Sequence, residues 1–376
     1  MKIKHTQIVP FALFLITLAV NISMPLFRPY AKLAGLSNGQ TALVLATYIF
    51  GMIPCYVFLG GISDRLGRKP ILLISLFCTL ISDVIITLYP NVFALIAARF
   101  FQGVALGLSM GTGTAYLTEL YLDDPQATSK AANAASLSTA FGFSGGAFMT
   151  SIALLIYFDY QPITYFIAIT ITVIGLILAF KLPHLKPIGG SIIRLPYFPK
   201  GYFPINLSIA ICWATTGVVI AIVPSKLAQF GYAAYAGFCL VLINWTGAFL
   251  QKLIRKHFSS KTSLKIGFGI IPLGFAFVVL GCYLEMLPVV LLGTAIIGSG
   301  AYGFSYLGGL ALIATLGGVQ RARAVSGYML FGYIGFGIPA IFLGYLADIF
   351  GIVPSLFGFE IIIVLLSLYL YIIFDK

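Results

Sequence analysis

The sequence predicts an all-α membrane protein of twelve transmembrane helices in two pseudo-symmetric six-helix bundles. Three observations carry that expectation. Of its 376 residues, 60% are hydrophobic and only 9% charged, with a mean hydropathy of +1.05, whereas a soluble domain holds about 25% charged residues. The apolar residues gather into runs of roughly 20, the length a helix needs to cross about 30 Å of hydrocarbon. Twelve such runs occur, and a loop at 184–202 rich in Pro, Gly and basic residues divides them near the midpoint.

In order, the runs fall at 8–27, 41–61, 70–88, 91–118, 131–157, 161–182, 204–224, 232–250, 266–284, 287–315, 325–347 and 352–374. The first follows Lys2 and Lys4 and so resembles the start of a secretory signal. It is longer than a signal core, no small-x-small cleavage pattern follows, and further runs come after it, so it reads as the first span. A charged, glycine-containing turn separates the second and third runs, and Tyr89-Pro90-Asn91 separates the third and fourth. The sixth ends at the dividing loop, which gives an N-terminal bundle over 1–183, a linker over 184–203 and a C-terminal bundle over 204–376, with no inserted soluble domain. A closed β-barrel would need alternating segments of roughly ten residues, and the sequence has none.

Charge sets the expected orientation. All but four of the 22 Lys and Arg fall on one side once the N-terminus is placed inside, the exceptions being Arg28, Lys32, Lys226 and the intramembrane Arg99. That asymmetry predicts cytoplasmic termini. The net charge of +12 is scattered in short clusters between apolar runs, which excludes a basic nucleic-acid-binding domain. Cys55, Cys78, Cys212, Cys239 and Cys282 all lie in apolar runs without ligand spacing, so neither a disulfide framework nor a zinc site is expected. His5, His184 and His257 stand in or beside the basic loops, and no metal spacing or nucleophile constellation accompanies them. An enzyme is therefore not expected, nor a cofactor.

Between the second and third runs stands Gly60-Gly61-Ile62-Ser63-Asp64-Arg65-Leu66-Gly67-Arg68-Lys69-Pro70. Gly60 allows close helix approach, Gly67 a turn that a side chain would obstruct, and Asp64 is suited to the positive end of a helix. The segment resembles the G-x-x-x-D-R-x-G-R-K signature of the major facilitator superfamily, and the twelve runs and central loop match that family's fold. The resemblance implies a gating loop in which Asp64 meets the start of helix eleven, near Ala324, and Glu119 pairs with Arg65 or Arg68. Arg65, Arg68 and Lys69 also serve topology.

Within helix four, Arg99-Phe100-Phe101-Gln102-Gly103 resembles the family's R-x-x-x-G signature. An arginine at that depth costs about 2.5–3.5 kcal/mol on insertion scales, so Arg99 should face protein or a wet cavity and have a partner. It is either a substrate or coupling residue, or an internal ion pair or carbonyl clamp that only locks helices together. Asp83 lies at similar depth and is a candidate partner; Gln102 and Arg28 join the candidate coupling or substrate set. Gly103, Gly107 and Gly111 put small residues on one stripe for close packing. Helix five reads Gly142-Phe143-Ser144-Gly145-Gly146-Ala147-Phe148-Met149-Thr150-Ser151, so Ala147, Thr150 and Ser151 replace residues of the drug-exporter signature. The second half echoes the first: Gly247 to Lys252 occupies the place of the gating loop with Gln251 for its aspartate, and Gly335-Phe336-Gly337-Ile338-Pro339 stands where helix five has its glycines.

The resemblance places a midplane cavity among helices one, four, seven and ten, whose polar or aromatic residues are Asn21, Ser109, Thr112, Trp213, Thr215, Thr216, Ser299, Tyr302, Ser305 and Tyr306. Most of these are expected to satisfy neighbouring backbone or pack between helices, and about a third to meet the solute. No acid lies in those four spans above the cytoplasmic end, whereas Arg99 does, so the cavity reads as neutral to positive. The expectation is a secondary transporter in the cytoplasmic membrane, a monomer, moving a small anionic or zwitterionic organic solute by alternating access. Protons are the expected coupling ion, and resemblance to presumed bacterial exporters favours efflux. An uptake symporter is the alternative, and a non-transporting scaffold or sensor the second.

Overall fold

The computed structural model describes residues 4–121 and 124–375; Lys2 and Lys376, counted above among the basic residues, lie outside the described residues. Twelve helices are long and apolar enough to span a bilayer: α1 His5–Leu33, α2 Asn38–Phe58, α3 Arg68–Leu88, α4 Val92–Leu120, α5 Ala127–Ile156, α6 Ile163–Phe180, α7 Tyr202–Gln229, α8 Ala233–His257, α9 Ser260–Tyr283, α10 Leu287–Leu316, α11 Gly318–Phe350 and α12 Ile352–Asp375. No strand occurs among the described residues. Every expected run is a helix. Their ends differ where polar residues prolong a helix beyond its apolar stretch, as Arg321 and Arg323 do for α11.

Local chemistry explains the boundaries. Asn91 caps α4, its Oδ1 accepting from the backbone N–H of Phe93 and Ala94 at 3.0 Å each. Ser259 does the same for α9 through Thr262 N at 3.1 Å. The first helix of each half is broken. In α1 the regular helix His5–Ile22 gives way to a 3-10 turn at Met24–Leu26 before resuming as Phe27–Leu33. In α7 the helix Tyr202–Ala221 is interrupted before Val223–Gln229. Pro25 stands within the first break and Pro224 just past the second; lacking an N–H and clashing with the carbonyl four residues back, neither can continue the helix before it. In α10 the break takes another form, a π-helical stretch over Ser299–Ser305.

Contacts group the chain into two compact units, Met1–Leu26 with Thr47–Leu195, and Phe27–Ala46 with Pro196–Lys376. In the first, α1 lies along α5, and α3 packs along α4 and α6. Val9, Leu13 and Ile16 of α1 share one core with Leu72 and Leu76 of α3 and Tyr116 of α4. In the second, α7 lies along α11, and α9 packs along α10 and α12. Each of these pairings recurs with six added to the helix number, so the two halves repeat one internal packing.

Hydrocarbon supplies no hydrophobic drive between helices, so association depends on close packing of small residues. A Cβ on Gly103 would strike the Tyr48 carbonyl and lie 3.0 Å from Met52 N, so α4 and α2 touch backbone to backbone there. Gly247 of α8 makes the corresponding approach to α10, where a Cβ would fall 2.7 Å from Gly298 O. Phe50, Phe77, Leu273, Phe342 and Leu368 are exposed, as residues facing lipid must be.

Candidate functional site

The turn between α2 and α3 is a one-turn helix, Ile62–Leu66, ended by Gly67 at φ +96°, a conformation that glycine alone adopts readily. The turn brings Asp64 and Arg68 onto one face. One oxygen of Asp64 pairs with Arg68 and the other with Arg194 of the linker. Arg68 also reaches Glu119 at the end of α4, its Nε and Nη2 each 2.8 Å from one carboxylate oxygen, and donates Nη1 to Ser63 Oγ at 2.7 Å. Of the two arginines expected to meet Glu119, Arg68 is the one that does; Arg65 is exposed.

The linker completes this cluster. Gly61 N donates to Ile192 O at 2.8 Å, and Gly189 N to Asp64 O at 3.0 Å. A Cβ on Gly61 would collide with the Ser191 carbonyl. Lys69 Nζ donates to Phe180 O at 2.7 Å, placing a cation at the C-terminal end of α6, where the helix dipole favours it. The carboxylate of Asp64 is occupied by Arg68 and Arg194, because the linker runs close over the turn and supplies a full positive charge. Arg194 had been read only as one of several basic loop residues.

Arg99 is 1% exposed. Its Nη1 donates to Val20 O and, at 3.2 Å, to Gln102 Oε1, while Gln102 Nε2 donates to Ala19 O at 2.9 Å. Both carbonyls belong to the last turn before the α1 break, where backbone acceptors lack helical partners. The guanidinium carbon sits 4.5 Å from the centre of the Tyr48 ring of α2. Arg99 and Gln102 thus join α4 to α1 and α2, the carbonyl-clamp arrangement. Asn21 extends the tie, its Nδ2 donating to Phe143 O of α5 at 2.8 Å.

Asp83 is not the partner of Arg99. Its carboxylate accepts from Thr172 Oγ1 of α6 at 3.2 Å, its second oxygen meets no polar partner, and it forms no ion pair among the described residues. The register of α3 turns it toward α6. Arg28 lies in the resumed part of α1, in the second unit, with Nη1 3.4 Å from Leu36 O.

Most of the expected cavity hydroxyls bond within their own helices. Ser109 donates to Leu106 O, Thr112 to Leu108 O, Thr215 and Thr216 both to Cys212 O, and Ser299 to Ala295 O, at 2.7–3.3 Å. In the π stretch of α10, Gln251 of α8 donates to Tyr302 O at 3.2 Å, the rings of Tyr302 and Tyr306 stand 6.2 Å apart, and Ser305 is buried against Gly267 of α9. Trp213 packs edge-on against Tyr333 of α11 at 4.6 Å, and its indole N–H has no acceptor among the described residues. Two turns earlier on α7, Asn206 is fully buried with both amide atoms unpartnered. Asn206 was missed in the sequence, although its seven-residue spacing from Trp213 puts both on one helix face. Buried polar atoms without partners are rare enough to call for an explanation.

The model of the Major Facilitator Superfamily matches residues 10–194. The quinolone resistance protein NorA of Staphylococcus aureus is 26% identical over 117 residues, 31% of this chain and 30% of that protein, so the alignment spans about a third of the relative's length. Among solved structures, the nucleoside transporter NupG superposes with a TM-score of 0.79 at 14% identity, covering 99% of both chains. A D-xylose-proton symporter superposes at 0.74 and 17% identity, covering 97% of this chain and 96% of that one. At such identities the likeness to the solved structures is one of fold.

Proposed function

Because the chain belongs to the major facilitator superfamily, a family of membrane transporters and not of enzymes, we propose that it exports a small anionic or zwitterionic organic solute across the cytoplasmic membrane by proton-coupled alternating access. The twelve spans make it a multi-pass membrane protein. The distribution of basic residues supports cytoplasmic termini and a cytoplasmic position for the Asp64 cluster. A single chain carries both repeats, and we take the monomer as the working unit.

The observation that carries the substrate class is where charge lies within the spans. Arg99 is a buried cation on α4, while Asp83 and Glu360 stand on α3 and α12, off the four helices proposed to line the path. A lipophilic cation would find no carboxylate there, and an anion would find a positive field in a low-dielectric surround. Trp213 offers an uncommitted donor on α7. Asp83, with one carboxylate oxygen free of polar contact, is the proposed proton carrier.

Export draws support from NorA, whose name records quinolone resistance; quinolones bear both a carboxylate and an amine and fit the proposed class. A fluorescent quinolone should accumulate in energised inside-out vesicles and leak out when a protonophore is added. Accumulation only in right-side-out vesicles would reverse the direction, and no transport in either would overturn the substrate class. Uptake is the second reading. Ala147, Thr150 and Ser151 interrupt the exporter signature of α5, and a D-xylose-proton symporter shares the fold.

A further inference from the structure

Helix α2 opens with its own capping box. Ser37 N donates to Gln40 Oε1 at 2.9 Å, and Gln40 N donates to Ser37 Oγ at 3.2 Å. That reciprocal pair satisfies the third turn position and leaves the amides of Asn38 and Gly39 without intrahelical acceptors. Both are taken by one carboxylate from the far end of the sequence. Asp348, near the end of α11, accepts from Asn38 N at 2.8 Å and Asn38 Nδ2 at 2.9 Å through Oδ1, and from Gly39 N at 2.9 Å through Oδ2.

Two glycines allow the approach. Gly344 precedes Asp348 by one turn on the same face; a Cβ there would lie 2.9 Å from Asn38 O and 2.9 Å from Gly39 Cα. A Cβ on Gly39 would in turn enter the ring of Tyr345. The contact is a backbone-to-backbone crossing topped by a charged cap at a positive helix end. It holds the segment Phe27–Ala46, which continues in sequence from the first unit at both ends, within the packing of the second. In the same segment Phe27–Leu33 packs on Val223–Gln229 of α7.

We propose that Asp348, seated on the α2 N-terminus across Gly39 and Gly344, is a latch that keeps the outer face closed and must release each time that face opens. It mirrors the Asp64 cluster: that acid sits where α2 ends, this one where α11 ends, and each cap lies on the opposite membrane face. The cap is solvent-accessible, so it biases an equilibrium and does not lock it. The inference rests on the alternating-access reading above.

The test uses the full-length protein with its five cysteines replaced and one reporter introduced, Ala31→Cys, at a position 1% exposed in the held segment. A membrane-impermeant maleimide is applied from outside, with no transport substrate required. Asp348→Ala should raise the labelling rate on the order of three- to tenfold, the range for losing a charged cap. Gly344→Val, which forces the crossing apart sterically, should raise it further. Adding Asp64→Asn, which weakens the inner cluster, should pull labelling back toward the parent value, whereas general loosening would add to it. Unchanged labelling in both outer variants, or labelling that Asp64→Asn increases further, overturns the latch. If labelling responds as expected but no solute is moved in vesicles, the transport reading fails and the latch stands.

Discussion

Replacing Arg99 tests the most unusual feature of the first unit, a buried guanidinium that ties three helices together. Arg99→Ala removes a charge-assisted hydrogen bond to Val20 O, the contact with Gln102 and the stacking on Tyr48. A hydrogen bond to a charged group is worth about 1.5–3 kcal/mol, and a desolvated cation over an aromatic ring about 0.5–2 kcal/mol. The gross loss is about 2–5 kcal/mol, concentrated where α1 breaks. The Val20 carbonyl would also be left without that donor in a dry site. Thermal unfolding of the purified protein should therefore shift downward, and vesicle transport of a quinolone should fall to background. Two further variants separate charge from geometry. Arg99→Lys keeps the charge but loses the planar fork and the stacking; Arg99→Gln keeps a donor for Val20 O and loses the charge. If the positive field recruits the solute, Lys should retain more transport than Gln. If the clamp alone matters, the two should fail together. An alanine variant as stable and as active as the parent would refute both roles.

Three other outcomes follow from the same geometry. Asp64→Asn should release Arg194, whose side chain is already 43% exposed, and trypsin should cut the linker there faster than in the parent protein; an unchanged rate would mean that the linker is held by its backbone bonds alone. Gly103→Val puts two methyl groups where α2 and α4 meet backbone to backbone, and should sharply reduce the amount of monodisperse protein recovered in detergent, while Gly111→Val, with nothing within 4 Å of a Cβ, should not. Asp83→Asn preserves shape and can still accept from Thr172, so binding of a quinolone should survive while its accumulation ceases to respond to a proton gradient; accumulation that still follows the gradient would remove Asp83 from coupling.

The fold was readable because bilayer thickness imposes a length on every helix, and that length survives in the sequence as a run of apolar residues. What the runs conceal is their interruption. The breaks in α1 and α7 fall inside continuous apolar stretches, and only Pro25 and Pro224 mark them; the π stretch of α10 has no marker beyond three glycines in its neighbourhood. The site was readable in part. Asp64, Arg68 and Glu119 do assemble, because a short turn leaves them little freedom. Arg194 and Asp348 were overlooked because their partners lie 130 and 310 residues away, and sequence spacing carries no signal at such separations. The hydroxyls of α4, α7 and α10 mostly bond the carbonyl one turn back, as a Ser or Thr in a span commonly does, so composition alone does not separate those that line a path from those that pack.

The main helix pairings recur between the halves while their chemistry differs, and that inequality bears on mechanism. α1 lies on α5 as α7 lies on α11, and α3 on α4 as α9 on α10, so both units share one mechanical design. In the first, the turn between the second and third helices is an ionic cluster of Asp64, Arg68, Arg194 and Glu119. In the second, Gln251, expected in the matching turn, lies within α8, which runs on to His257, and donates to the Tyr302 carbonyl of the π stretch. The two proposed devices therefore differ in kind: Asp64 is held by arginine side chains, whereas Asp348 caps the backbone amides of Asn38 and Gly39.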